Sequence, residues 1–116
     1  MLTIRKDQME AFGEEMLRQY KQRMSVHLRR HFPQQTEALD DAALARFIDE
    51  GIEQAARYEI QEETTVEKFL ELLMRHGADF DTREEFAWAK KILRDGRLLS
   101  FEKLERIEEY EKLSHS

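Results

Sequence analysis

Residues 64–77 read Thr-Thr-Val-Glu-Lys-Phe-Leu-Glu-Leu-Leu-Met-Arg-His-Gly, and this stretch decides the fold class. Wound as a helix over 65–76, it places Val66, Phe69, Leu70, Leu72, Leu73 and Met74 over more than half of the circumference. A helix that is apolar nearly all round has to be buried. It therefore forms the centre of a core, and other elements must cover it on several sides. Its ends are marked as well. Thr64 and Glu67 have the spacing of a capping box, in which each side chain satisfies the other residue's free backbone N–H. Gly77 takes the left-handed stop conformation easily.

The covering elements are also read as helices. Downstream, Ala78-Asp79-Phe80-Asp81 is a loop with an aromatic residue that folds back as a hydrophobic staple. Thr82 and Glu85 repeat the capping-box spacing and open a helix over 83–94, with Phe86, Trp88, Ala89, Ile92 and Leu93 on it and Asp95-Gly96 at its end. Ser100 caps a last helix over 101–113 that carries Phe101, Leu104, Ile107, Tyr110 and Leu113.

Upstream, Asp40 or Asp41 caps a helix over 41–58. Its apolar face is Leu44, Phe47, Ile48, Gly51, Ile52, Ala55 and Ala56, and the small residues mark a place where a neighbouring helix crosses closely. Before it lies a short connection, 33–40, and a long helix over 4–32 with Thr3 as its N-cap and Pro33 at its end. Met9, Phe12, Met16, Tyr20, Met24, Leu28 and Phe32 recur on it at three or four residues, which is one continuous stripe. Its methionines are core residues or, because methionine adapts to irregular surfaces, part of a groove for a partner helix. Gly13 lies inside this run with no evident role. No segment alternates with period two over a useful length, so strands are not expected. The expected fold is all-α: one domain spanning 1–116, a compact bundle of about five helices with one long N-terminal helix.

Composition narrows the function classes. The chain has no cysteine, which excludes disulfides, thiolate metal sites and cysteine nucleophiles. No run of about 18 apolar residues is present, so no membrane span is expected. The first residues, Met-Leu-Thr-Ile-Arg-Lys-Asp-Gln, lack the apolar core of a signal peptide, which makes the cytoplasm the expected compartment. The net charge of −6 is uneven: residues 1–33 carry +3, residues 34–63 carry −7 and residues 64–116 carry −2. A basic first helix beside an acidic second one is either self-complementation or a polar face for a partner. On the second reading, the candidate interaction residues are Arg18, Arg29 and Arg30 on the first helix and Asp49, Glu50 and Glu53 on the second.

Few residue sets suggest chemistry. His27 and His31 share a helix face at a spacing that can present two imidazoles to one metal. The residue after His27 is Leu28 rather than the glutamate of a zinc protease, no third ligand is evident, and Arg29 and Arg30 add local positive charge. They read as boundary histidines near a helix C-terminus, and no metal or cofactor is expected. Asp79 and Asp81 flank Phe80, but no calcium-loop spacing follows. No serine stands in a nucleophile elbow and no glycine loop suits a phosphate, so the chain is not expected to be an enzyme. The basic clusters Arg18/Lys21/Arg23/Arg29/Arg30 and Lys90/Lys91/Arg94/Arg97 sit in a chain that is acidic overall, which argues against nucleic-acid binding.

The segments IRKDQMEAF (4–12), HLRRHFP (27–33), GIEQAARYEIQEETTVEKFLELLMRHGADFDT (51–82) and WAKKIL (88–93) resemble a family of small helical proteobacterial proteins encoded beside type VI secretion spike and effector genes. The resemblance covers nearly the whole chain, and its motifs are structural rather than catalytic. Family members tend to carry glycine in the turn after the second helix, where this chain has Glu59. The resemblance implies an adaptor or chaperone that holds a secretion effector or spike-tip protein before export. An immunity protein that blocks a basic toxin through the acidic 34–63 segment is the first alternative, and a DNA-binding regulator the second.

Overall fold

The structure, a computed structural model, describes residues 13–114. The readings placed on residues 1–12, including Thr3 as a cap and Met9 and Phe12 in the stripe, lie outside the described residues. Six α-helices follow in order: α1 (Gly13–His31), α2 (Pro33–Glu37), α3 (Asp41–Arg57), α4 (Glu63–His76), α5 (Ala87–Leu93) and α6 (Ser100–Ser114). Two 3-10 turns, Phe80–Thr82 and Glu84–Phe86, lie between α4 and α5. No strand occurs among the described residues. The fold is an all-α bundle, and α1 is its longest described helix at 19 residues.

α4 is the centre, as its all-round apolarity demands. Thr65, Val66, Phe69, Leu70, Leu72, Leu73 and Met74 are all buried. α1 lays Leu17, Tyr20, Met24 and Leu28 inward, α3 lays Leu44, Ile48 and Ala55, α5 lays Ala89 and Leu93, and α6 lays Leu104 and Ile107. At about 25 cal/mol per Å² of apolar surface, each of these large side chains contributes roughly 1.5–3 kcal/mol on burial. The close crossing expected at Gly51 lies between α3 and α4. A β-carbon built on Gly51 would stand 2.4 Å from Leu70 Cδ2 and 3.1 Å from Leu73 Cδ1. Asp40 caps α3, its carboxylate accepting from the Ala43 N–H at 2.7 Å.

Several helix ends differ from the sequence reading. Pro33 ends α1 and also opens the short helix α2 within the expected connection. Proline is suited to a first turn because its missing N–H would have no partner there. Thr36 is buried and its hydroxyl donates to the Phe32 carbonyl at 2.8 Å, which ties α2 onto the end of α1. The Thr64–Glu67 pair does not mark the start of α4, which begins at Glu63 behind Glu62. Ser100 is the first residue of α6 rather than its cap, and its hydroxyl donates to Glu62 Oε1. The N–H of Leu99 is met by Glu102 Oε1 at 2.8 Å instead.

The largest departure is the helix expected over 83–94. Only Ala87–Leu93 is α-helical, and the residues before it form 3-10 turns. Thr82 does not cap a helix: its hydroxyl donates back to the Asp79 carbonyl at 2.7 Å. Arg83 is extended between the two turns, and its guanidinium donates to the His76 carbonyl. The reason is aromatic packing. Phe80 is fully buried, with its ring 6.2 Å from Phe69 and 5.8 Å from Phe86, both edge to face. A capping box contributes about 1 kcal/mol, less than burying a phenylalanine inside an aromatic cluster. The chain follows the phenylalanines.

Candidate functional site

The six residues expected to meet a partner differ in their surroundings. Arg18 is exposed and pairs with Glu15 one turn back at 2.6 Å. Arg29 acts inside the chain: its guanidinium donates to the carbonyls of Thr36 at 3.1 Å and Leu39 at 3.0 Å, and to Asp41 Oδ1 at 3.0 Å. It thus satisfies carbonyls at the end of α2 and holds α2 between α1 and α3. Asp49 on α3 pairs with Lys21 on α1 at 2.6 Å. Arg30, Glu50 and Glu53 are exposed. The basic and acidic blocks are therefore joined in cis at Lys21–Asp49 and Arg29–Asp41, so much of their complementarity is used within the fold. Sequence patterning could not separate these two uses, because a helix face that pairs internally has the same composition as one that pairs with a partner.

The apolar surface is distributed unevenly. Of the five large hydrophobic side chains exposed among the described residues, four are Leu99, Phe101, Tyr110 and Leu113, on or directly before α6; Val26 is the fifth. Leu113 is 76% exposed. α6 is itself firmly seated. Lys103 is only 3% exposed, and its ammonium donates to the Tyr58 carbonyl at the end of α3 at 2.8 Å. On α4, Arg75 and His76 reach Glu111 at 2.9 and 2.6 Å, and Lys68 reaches Glu108 at 3.3 Å. The Tyr110 ring stacks on Trp88 of α5 with centroids 4.0 Å apart. The sequence placed Phe101, Tyr110 and Leu113 on this helix but could not show which of its apolar residues stay outside.

A second feature is a polar cleft of about 710 Å³ where the end of α3 meets the 3-10 turns and α5. Arg57, Lys90 and Arg94 line it together with Glu59, Asp79 and Asp81, and Tyr58 is in the wall. The Tyr58 hydroxyl donates to Asp81 Oδ2 at 2.5 Å. Burial, the hydrogen bond to Asp81 and the charge of Asp81 push its phenol up to about 12, so it stays protonated at neutral pH. Asp81 thereby anchors this tyrosine. Ligand pockets of this size are commonly lined by apolar groups with a few convergent polar ones. This one is walled by charges of both signs, and serine, histidine and cysteine are absent from its lining.

The His27 and His31 rings lie with centroids 4.4 Å apart, tilted by 43° to each other. His27 Nε2 lies 2.7 Å from Glu71 Oε2 on α4, a partner 44 residues away that spacing along the chain could not indicate. No protein-family model matches the chain, and no curated protein or solved structure is significantly similar to it.

Proposed function

We propose that the protein is a non-enzymatic interaction module that binds a partner protein through α6. The observation that carries this reading is that four of the five exposed large hydrophobic side chains among the described residues, Leu99, Phe101, Tyr110 and Leu113, lie on or directly before α6, a helix clamped to α3 and α4. Apolar side chains left in water at the surface favour burial against another surface, and a helix can present them as anchors to a groove. The docking face moves from the charged sides of the first two long helices to α6, because Arg29 and Asp49 are already held in cis. The resemblance to type VI secretion accessory proteins supplies the candidate client, a secretion effector or spike-tip protein, with the chain as its adaptor or chaperone.

The test is co-purification of the tagged full chain with the effector or spike-tip protein encoded beside it. A Phe101→Ser/Leu113→Asp double variant is expected to lose at least about tenfold in affinity, in line with truncating buried apolar anchors. Undiminished capture by a folded double variant removes α6 as the docking face, and no association at all removes the adaptor reading. Co-expression with the toxin separates the adaptor from an immunity protein, since only the latter rescues the cell.

A further inference from the structure

Along α1, Tyr20, Arg23 and His27 look toward α4, and their contacts fix the register of the two helices. The Tyr20 hydroxyl donates to the Glu63 carbonyl at 2.8 Å, and Arg23 Nη2 donates to Glu63 Oε1 at 2.6 Å. One turn further on, His27 meets Glu71. Glu67 and Glu71 are four apart on α4 and so share a face. One ligand atom from each of His27, Glu67 and Glu71 lies within 4.8 Å of the others, and all three side chains are half-buried.

We propose that His27, Glu67 and Glu71 form a binding site for a divalent transition-metal cation, with zinc as the matching ion, that joins α1 to α4. The donor set is one imidazole nitrogen and two carboxylate oxygens, which suits zinc at about 2.0–2.2 Å per ligand and leaves a coordination position for water. The imidazole favours a first-row transition ion over magnesium or calcium. Donors around a tetrahedral zinc stand about 3.4 Å apart, a spacing comparable to the 4.8 Å within which the three ligand atoms already lie. Charge supports the same assignment. Two carboxylates at this spacing repel each other, and a dication between them turns that repulsion into attraction.

Two contrasts sharpen the site. From the sequence no metal is expected at His27, because no third ligand is evident and Arg29 and Arg30 stand nearby. The fold brings Glu67 and Glu71 in from another helix, and Arg29 is turned to Thr36, Leu39 and Asp41. The other histidine–glutamate pair, His76 with Glu111, has a single carboxylate that already accepts from Arg75, so a cation is in place there. The two pairs resemble each other in distance, but among the described residues only the first has a second carboxylate within reach.

The experiment is zinc chloride titrated into the chelator-treated full chain, followed by calorimetry and by thermal unfolding. One zinc per chain and a rise in Tm of about 5 °C or more at saturating zinc are expected, because an ion that binds only the folded state stabilises it. Glu67→Gln and Glu71→Gln, which keep shape and helix propensity, each weaken binding at least about tenfold, as does His27→Gln. His31→Gln and His76→Gln leave the affinity unchanged. Absence of stoichiometric binding overturns the site. So does binding that survives both glutamine variants, or binding lost with His31→Gln or His76→Gln instead. Circular dichroism of each variant confirms that the helices remain.

Discussion

Among the described residues, Glu59 is the one non-glycine residue with a positive φ. It has φ of 62°, in the left-handed region, directly after α3. The reason is the way α3 stops. The Ile60 N–H reaches back to the Ala55 carbonyl at 2.9 Å, and the Glu59 N–H reaches the Ala56 carbonyl at 3.0 Å. This is the double bond pattern of a Schellman stop, which needs one left-handed residue and is usually given glycine. Buried Ile60 and Ala55 supply the apolar contact that accompanies it. A glutamate in this conformation carries a steric cost that glycine does not. Glu59→Gly is expected to stabilise the fold by about 0.5–1 kcal/mol, part of the gain being offset by the looser unfolded chain. A higher urea midpoint at unchanged m-value checks this. No pattern in the sequence marks Glu59 as strained, because the strain comes from a stop completed by Ile60 entering the core.

At the scale of elements, the α3–α4 crossing is the place where a local pattern foretold a tertiary contact. Gly51, Ala55 and Ala56 form a small-residue surface, and Leu70 and Leu73 of α4 fill the space over Gly51. Leu70 and Leu73 are both almost fully buried, so their tips have little room to retreat. Gly51→Leu is therefore expected to cost about 3 kcal/mol through overpacking, far beyond the roughly 1 kcal/mol that leaving glycine returns in helix propensity. Chemical denaturation of the variant reads this directly, and unchanged stability would show that the two helices separate freely. The segment 80–93 gives the opposite lesson. Its capping-box residues Thr82 and Glu85 stand at the right spacing for a helix start, yet Phe80 and Phe86 draw the backbone into 3-10 turns. Local start signals hold where nothing larger competes, as at Asp40, and yield where two aromatic rings must reach one core.

Across the whole molecule, α6 is retained by charged contacts as well as by Leu104 and Ile107. Glu111 is the busiest of these contacts. Burial pushes its carboxyl up, but hydrogen bonds from His76 and Arg75, with their charges, outweigh that and hold it below the ordinary carboxylate range. The unfolded chain therefore takes up this proton more readily than the folded one. The stabilisation is fully present above the unfolded value of about 4.3 and is lost as pH falls through the lower folded value. Glu111→Gln is expected to lower stability by a few tenths to about 1 kcal/mol near neutral pH, where the clasp is ionised. The gap between it and the original chain should narrow as pH falls below the unfolded value, and denaturation curves at successively lower pH measure it. A gap that stays constant with pH would mean that the clasp acts through packing alone.

What the amino-acid sequence determined by itself is the class of fold and its centre. Periodicity and near-complete apolarity over 65–76 make a buried helix unavoidable, and Asp40 and Gly77 act through their own immediate geometry. What only the tertiary structure decided is how distant residues share space. The docking of α1 on α4 brings His27 to Glu71, the seating of α6 leaves Phe101 and Leu113 in water, and the packing of α1 on α3 consumes Asp49 in a pair with Lys21. The physical reason is range. Helix formation and capping depend on neighbours within about four residues, which the sequence displays. Burial, ion pairing and ligand clustering depend on which helix faces meet, and that is settled by the packing of all of them at once.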